Sequence, residues 1–287
     1  MFKYTLYYLK NFLLLIRINK PTGIMLLMFP AMWSILIVLK EEIDIYLTLL
    51  IIYGSFIMRS AGCIINDIID KKIDKNVNRT KLRPLVSGNL DNTDAIILLI
   101  IFLSIALSIL LNLNTTSIFL GILVLPLIFI YPFIKRFVYI PQLFLAVVFN
   151  FSVLISWTAA SGVFELQSLI LYVACIFWTL GYDTIYAYQD IKDDKRIGVK
   201  SLAIYLEKDI KFYTSVFFII FLIFFFYIGI KNNLNMIFFS TIILFTLIII
   251  SKIFKKKKLE TKNCHEIFVI NSWYGFFITL VLFFNYI

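Results

Sequence analysis

Asp67, Asp70 and Asp74 stand at offsets of three and four in the stretch GCIINDIIDKKID, and Asn66 precedes Asp70 by four. A second set, Asp183, Asp190 and Asp194, is spaced by seven and four in GYDTIYAYQDIKDDKRIGVKS. On a helix such offsets share one face, so each set gathers three carboxylates on one surface. Unpaired, they repel, and carrying one toward the middle of a bilayer costs about 2.5–3.5 kcal/mol. A compensating positive charge is required. Oxygen donors without His or Cys suit a hard cation, Mg2+ above all. Mg2+ keeps some of its waters and binds phosphate oxygens as well, so two such sets facing each other point to a diphosphate between them. For one set alone, the plain alternative is a solvated helix end paired with Lys71, Lys72, Lys75 or Lys192. Two sets of matched spacing argue against it.

Basic residues surround both sets. Arg59 lies seven residues before Asn66 and eight before Asp67, two turns deeper on nearly the same face. An arginine inside an apolar segment is a functional candidate by default; a structural bridge to an acid is its other reading. Lys135 and Arg136, in YPFIKRFVYIPQ, can clamp phosphate or carboxylate, or simply flank a membrane segment. Arg79, Lys81 and Arg83 follow the first set, where Pro84 and Gly88 mark a bend. Lys200 closes the second motif.

The elements that must carry these residues are membrane helices. Of the 287 residues 61% are hydrophobic and 15% charged, whereas a soluble domain is nearer half apolar and a quarter charged. Nine apolar stretches of roughly twenty residues, enough to cross about 30 Å of hydrocarbon, fall near 21–39, 45–65, 95–113, 116–134, 141–160, 166–187, 212–230, 234–253 and 267–286. They do not alternate apolar and polar, which excludes a barrel, and helices satisfy their own backbone groups. The expected fold is all-α, one polytopic transmembrane unit over residues 1–287.

The net charge of +10 follows this topology. Of the 27 Lys and Arg, all but Lys40, Lys231 and the intramembrane Arg59 fall on the N-terminal side of nine spans. That is the positive-inside pattern: a cytoplasmic N-terminus, an outer C-terminus, and no call for nucleic acid. The acids are not explained by that rule, yet they concentrate in the long loops around 66–94 and 183–211. These follow the second and sixth spans, so the two preceding helices point the same way. The run KKKK at 255–258 reads as a topology determinant, and FFIIFLIFFF at 217–226 as a surface for lipid or for packing an apolar tail. Cys63, Cys175 and Cys264 show no metal or redox spacing, and the lone His265 makes no metal site. No cleavable signal pattern opens the chain.

GCIINDIIDKKIDKNVNRTKLRPLVSG and GYDTIYAYQDIKDDKRIGVKS resemble the two aspartate-rich motifs of the UbiA superfamily of intramembrane aromatic prenyltransferases. RINKPTGIMLLMFPAMW, YPFIKRFVYIPQ and the YDTIYA before the second motif are similar to the branch that acts on 4-hydroxybenzoate. The likeness covers about residues 17–205. The one departure noted is DIKDD, less acidic than is common in the second motif. The resemblance implies nine helices around a cavity open to lipid. It implies Mg2+ on Asp67, Asp70 and Asp74 with Asn66 beside them, and on Asp190 and Asp194 with Asp183 one step further in. Arg136 matches a basic position that the family uses for substrate; Arg59, Arg79, Arg83, Lys135 and Lys200 are the further candidates for substrate contact.

The implied activity is transfer of a polyprenyl chain from its diphosphate to 4-hydroxybenzoate, as in ubiquinone synthesis, in a bacterial or mitochondrial inner membrane. Membrane lipid is an expected partner; no protein partner is implied. Two rivals stay open: another acceptor of the menaquinone, haem or chlorophyll type, and a cation-coupled transporter. A transporter places its coupling carboxylates near mid-bilayer, usually on broken helices, whereas most here fall at helix ends.

Overall fold

The computed structural model describes residues 2–255 and 259–286, the side chains of residues 2–5 excepted; Lys256, Lys257 and Lys258 of the basic run lie outside the described residues. The elements are α1 (Phe2–Leu15), α2 (Thr22–Leu39), α3 (Ile45–Asp74), α4 (Pro84–Ser87), α5 (Asn92–Leu110), α6 (Thr115–Ile134), α7 (Pro141–Phe149) and α8 (Phe151–Ser161). There follow α9 (Leu166–Tyr188), α10 (Ile191–Ile197), α11 (Leu202–Tyr205), α12 (Ile210–Lys231), α13 (Met236–Phe254) and α14 (Thr261–Asn285). Among the described residues there is no strand, and nine helical segments are long and apolar enough to span a bilayer, α7 and α8 together making one.

The starts of the spans are written in short polar residues. Asp44 accepts from Leu47 N at 3.0 Å, Asn114 from Ser117 N at 3.0 Å and Asn235 from Phe238 N at 3.1 Å. Each satisfies an amide that the first helical turn leaves without a partner. Asp91 and Asp94 form a capping box at the start of α5. Gly162 ends α8 at φ +81°, a left-handed position that favours glycine.

One helix outruns its apolar stretch, as the helical register of the aspartates predicts, and one stretch differs from the sequence reading. The apolar stretch ends near Ile65, but α3 continues to Asp74. Its 30 residues reach about 45 Å at 1.5 Å each, against about 30 Å of hydrocarbon, so its C-terminal part stands clear of the apolar layer. The fifth stretch is not one helix. It breaks at Asn150, whose Nδ2 donates to Ala146 O, Cys175 O and Thr179 Oγ1 at 2.8, 3.2 and 2.8 Å. The break carries an amide, not the carboxylate that ion coupling needs.

The core is aromatic. Trp33 packs 5.1 Å from Trp178 and 5.0 Å from Phe225, and Phe221 stacks 5.1 Å from Phe225. Buried indoles need acceptors: Trp178 Nε1 donates to Asn271 Oδ1 at 2.8 Å and Trp33 Nε1 to Thr279 Oγ1 at 3.0 Å. This corrects the reading of 217–226, because Phe218, Phe221 and Phe225 are fully buried and the exposed positions of that run lie on its other faces. A helix whose two faces are both apolar gives composition no means of telling core from lipid. α14 approaches α2 so closely that a Cβ on Gly275 would lie 2.4 Å from Phe29 Cδ2.

The three cysteines are unpaired and buried, and His265 is exposed at the start of α14. Between α3, α5, α6, α7 and α8 lies an apolar cavity of about 460 Å3, within the usual size of ligand sites. Exposed residues of α5 and α6, Ile100, Leu107, Ile122 and Leu125, line its outer side.

Candidate active site

The C-terminal part of α3 is held by burial of one face. Ile64 and Ile65 pack with Leu15, Ile16, Leu85 and Leu90, while Lys71 turns away to donate to Asn92 Oδ1 at 2.9 Å. Asp67, Asp70 and Asp74 are all buried, which rules out solvated ends paired with neighbouring lysines.

Their partners come from far along the chain. Arg17 Nη2 donates to both oxygens of Asp67, at 2.6 and 2.9 Å. Arg83 Nη1 donates to Asp67 Oδ1 at 2.9 Å and to Asp74 Oδ2 at 2.5 Å. Lys135 Nζ donates to Asp70 Oδ2. Asn66 Oδ1 accepts from the Tyr131 hydroxyl at 3.1 Å. Among the described residues Asp70 Oδ1 is buried without a partner, a state that costs free energy unless something satisfies it.

The second motif is built differently from the sequence expectation. Offsets of seven and four place Asp183, Asp190 and Asp194 on one face only if a single helix runs through them. α9 ends at Tyr188, and α10 begins after Asp190, whose carboxylate caps nothing, so Asp183 belongs to one helix and Asp194 to the next. The turn brings Asp190 to the first motif: Arg79 Nε and Nη2 donate to Asp190 Oδ2 at 3.0 and 2.6 Å. Arg79 also donates to the Tyr186 hydroxyl at 3.3 Å.

Two further bonds stitch the loops. Asn78 N donates to Asp193 Oδ2 at 3.1 Å, and Arg196 Nη2 to Asn76 O at 2.7 Å. Lys200 ties the second loop to the turn after α6, its amide donating to Lys135 O at 3.1 Å and its Nζ to Phe137 O at 2.8 Å.

Among the described residues Asp194 forms no ion pair. Burial first, and then the neighbouring Asp190, push its carboxyl up to about 7. The described residues hold no ready cluster of three His, Cys, Asp or Glu side chains; the acids are shared out among arginines and a lysine. What fits a divalent cation is the donor chemistry that remains. It consists of an unsatisfied buried oxygen on Asp70 and an unpaired, partly buried carboxyl on Asp194, with Asp74 and Asp190 beside them on displaceable cations.

Arg59 sits deeper, lining the apolar cavity with Tyr131. Its guanidinium lies 5.5 Å from the centre of the Phe149 ring, and among the described residues it forms no salt bridge or hydrogen bond. Asp183 lies within its electrostatic reach. The chain leaves room for it: a Cβ on Gly23 would come 2.8 Å from Arg59 Nη2. Arg136 points elsewhere. It is exposed, donates to Ile69 O at 3.0 Å and lies over Phe133 at 5.2 Å. The structure thus gathers the two motifs with Arg79, Arg83 and Lys135, and leaves Arg136 outside the cavity.

Arg17, Tyr131 and Tyr186 were not singled out in the sequence. Tyr131 stands four residues before Lys135, one turn away on the same face, which was a usable signal. Arg17 opens the RINKPTG stretch that carries part of the resemblance, but no spacing ties it to Asp67.

A family model described as the UbiA prenyltransferase family matches residues 27–281. A 4-hydroxybenzoate octaprenyltransferase of Psychromonas ingrahamii is 37% identical over 278 residues, covering 95% of each chain. Its counterpart in Francisella tularensis subsp. novicida is 36% identical over 279 residues, with 97% of this chain and 98% of the relative covered. Among solved structures, a UbiA homologue from Aeropyrum pernix superposes with a TM-score of 0.79 at 24% identity, covering 92% of this chain and 98% of that one. A UbiA homologue from Archaeoglobus fulgidus bound to GPP and Mg2+ gives 0.70 at 17%, covering 94% and 99%. At these identities the superpositions speak to the fold.

Proposed function

Because this chain belongs to the UbiA prenyltransferase family, we propose that it transfers a polyprenyl chain from polyprenyl diphosphate to 4-hydroxybenzoate, with Mg2+, as one transmembrane unit. The chain is a multi-pass membrane prenyltransferase; the acceptor, the position of transfer and the metal are the proposal. One observation carries it: two stitched aspartate motifs, ringed by displaceable cations, join through Tyr131 to an apolar cavity that holds an arginine without a counterion contact.

Asp70, Asp74, Asp190 and Asp194 are the residues that would hold the metal. Mg2+ bound there supplies neutralisation of the charge that develops on the leaving diphosphate. Arg79, Arg83 and Lys135 turn from the aspartates to the phosphate oxygens, for which Arg offers a planar fork. The apolar cavity takes the polyprenyl tail, which gains about 0.8 kcal/mol for each buried CH2.

Arg59 holds the acceptor carboxylate, in preference to the exposed Arg136. The allylic C–O bond breaks, diphosphate leaves, and the ring carbon ortho to the hydroxyl and meta to the carboxylate forms the new C–C bond. That carbon then gives its proton to the departed diphosphate and the ring regains aromaticity. Asp183, within electrostatic reach of Arg59, would accept a hydrogen bond from the phenol and raise its electron density. The product is a 3-polyprenyl-4-hydroxybenzoate, a precursor of the ubiquinone type.

The test is an assay of the purified protein in lipid with radiolabelled 4-hydroxybenzoate, Mg2+ and donors of graded length. Label should pass to an extractable prenylated acid, and chelation should stop it. A prenylated product from a naphthoate or a porphyrin, and none from 4-hydroxybenzoate, would move the chain to another acceptor.

The positive-inside distribution supports a cytoplasmic N-terminus and active site in an inner membrane. Reporter fusions after Lys72, Lys195 and Lys256 should report the cytoplasm, and fusions at Glu41 and Asn233 the outside. A reversal at any of them would undo this orientation.

A further inference from the structure

Arg17 adopts φ +63°, a left-handed conformation. It follows α1 at the position where a helix most often ends in glycine, because a Cβ is strained there. The turn is a Schellman motif: Arg17 N donates to Leu14 O and Ile18 N to Leu13 O, each at 3.2 Å. Nothing in the backbone calls for an arginine. The side chain does, since this turn aims it at Asp67.

Asp67 is fully buried, and its two oxygens accept three charged hydrogen bonds, two from Arg17 Nη2 and one from Arg83 Nη1. Asp70, one turn on, keeps a free oxygen. The two aspartates therefore have different work. Asp67 and Asp74 carry two negative charges against two arginines, and Arg83 Nη1 bridges both acids. With Arg17 in place, Arg83 can leave Asp74 for a phosphate oxygen without stranding Asp67. Without Arg17, the buried Asp67 has Arg83 as its one remaining cation, and a charge so buried holds its last partner tightly.

We infer that Arg17 is a positioning residue: it compensates Asp67 so that Arg83 stays at the site yet free to exchange, and Asp67 belongs to this clamp and not to the metal ligands. The inference rests on the prenyl transfer proposed above.

The test uses the full-length protein in lipid and the variants Arg17→Gly, Arg17→Lys, Asp67→Asn, Asp70→Asn and Arg17→Gly with Asp67→Asn. Glycine suits the turn better than arginine, so any loss in Arg17→Gly comes from the missing guanidinium. That variant should raise the donor KM about tenfold with the acceptor KM nearly unmoved, and Arg17→Lys should recover most of the loss. Without activity as a readout, Mg2+ with inorganic diphosphate is titrated against unfolding temperature. Asp67→Asn should need the same Mg2+ as the wild type, and Asp70→Asn several-fold more.

In metal-free protein, the double variant should unfold no lower than the worse single one, because neither charge is then left alone. Three results would each overturn the inference. They are a Mg2+ requirement raised in Asp67→Asn as in Asp70→Asn, equal changes in both KM values for Arg17→Gly, and additive losses of unfolding temperature. A wild type that transfers no prenyl group counts against the proposed function instead, and the unfolding cycle then judges the clamp alone.

Discussion

Asp70→Asn and Asp190→Asn should each lower turnover by more than about a hundredfold, equivalent to a loss near 2.7 kcal/mol of transition-state stabilisation. Asp70 presents one buried oxygen with no partner and a second held by Lys135. An asparagine keeps the shape and removes the charge that would hold a divalent cation. Asp190 is the point where the second motif meets the first, through Arg79. Neutralising it would take away a ligand of the proposed metal and free the guanidinium together. The unfolding temperature should change little for Asp190, whose side chain is 15% exposed and can be rehydrated. Steady-state rates at saturating Mg2+ decide it. Turnover near normal in either variant, or in the wild type under chelation, would falsify the metal role of these residues.

The second large effect belongs to Arg59. A benzoate carboxylate entering an apolar cavity needs a cation, since an unpaired buried charge costs several kcal/mol. Arg59 lines that cavity and forms no ion pair of its own among the described residues. Arg59→Ala should raise the KM for 4-hydroxybenzoate by about a hundredfold and leave that for the polyprenyl diphosphate within a few-fold. Arg59→Lys should restore only part, because an ammonium lacks the bidentate fork. Arg136→Ala, on the exposed side of the same region, should alter both constants modestly. If the donor KM moves and the acceptor KM does not, Arg59 is a diphosphate ligand and the acceptor site lies elsewhere.

Arg136 and Arg59 show what a sequence can and cannot convey about a cavity. Both are arginines near the same motif, and spacing along α3 places Arg59 correctly two turns below Asn66. Which of them faces a cavity depends on how α6 and α7 pack against α3, and no local pattern encodes that. The spans themselves were legible because hydrocarbon demands long apolar runs and their starts are written in Asp44, Asn114 and Asn235. The extension of α3 to Asp74 was legible as three aspartates in helical register. The break after Tyr188 was not, because DTIYAYQDIKDD keeps the same offsets with or without it.

Long-range partners were the least visible part. Arg17 and Asp67 are separated by 50 residues and Arg79 and Asp190 by 111. Arg79 is a candidate by its place after the first motif, but no spacing pairs it with Asp190, and Arg17 falls among the topology-setting charges. Family resemblance supplied the acceptor branch, which no spacing argument reached.

The outer side of the cavity, where Ile100, Leu107, Ile122 and Leu125 face outward between α5 and α6, bears on how the enzyme's kinetics are to be expressed. A substrate that enters through that wall arrives from the plane of the bilayer, so its activity is a mole fraction among lipids and not a bulk molarity. Inert phospholipid added at constant total donor should therefore slow the reaction by surface dilution. Long-chain detergent should behave as a rival occupant whose potency grows with its alkyl length. A prenylated product returned through the same wall would stay in two dimensions, where its next encounter would be governed by lateral diffusion and not by release into water.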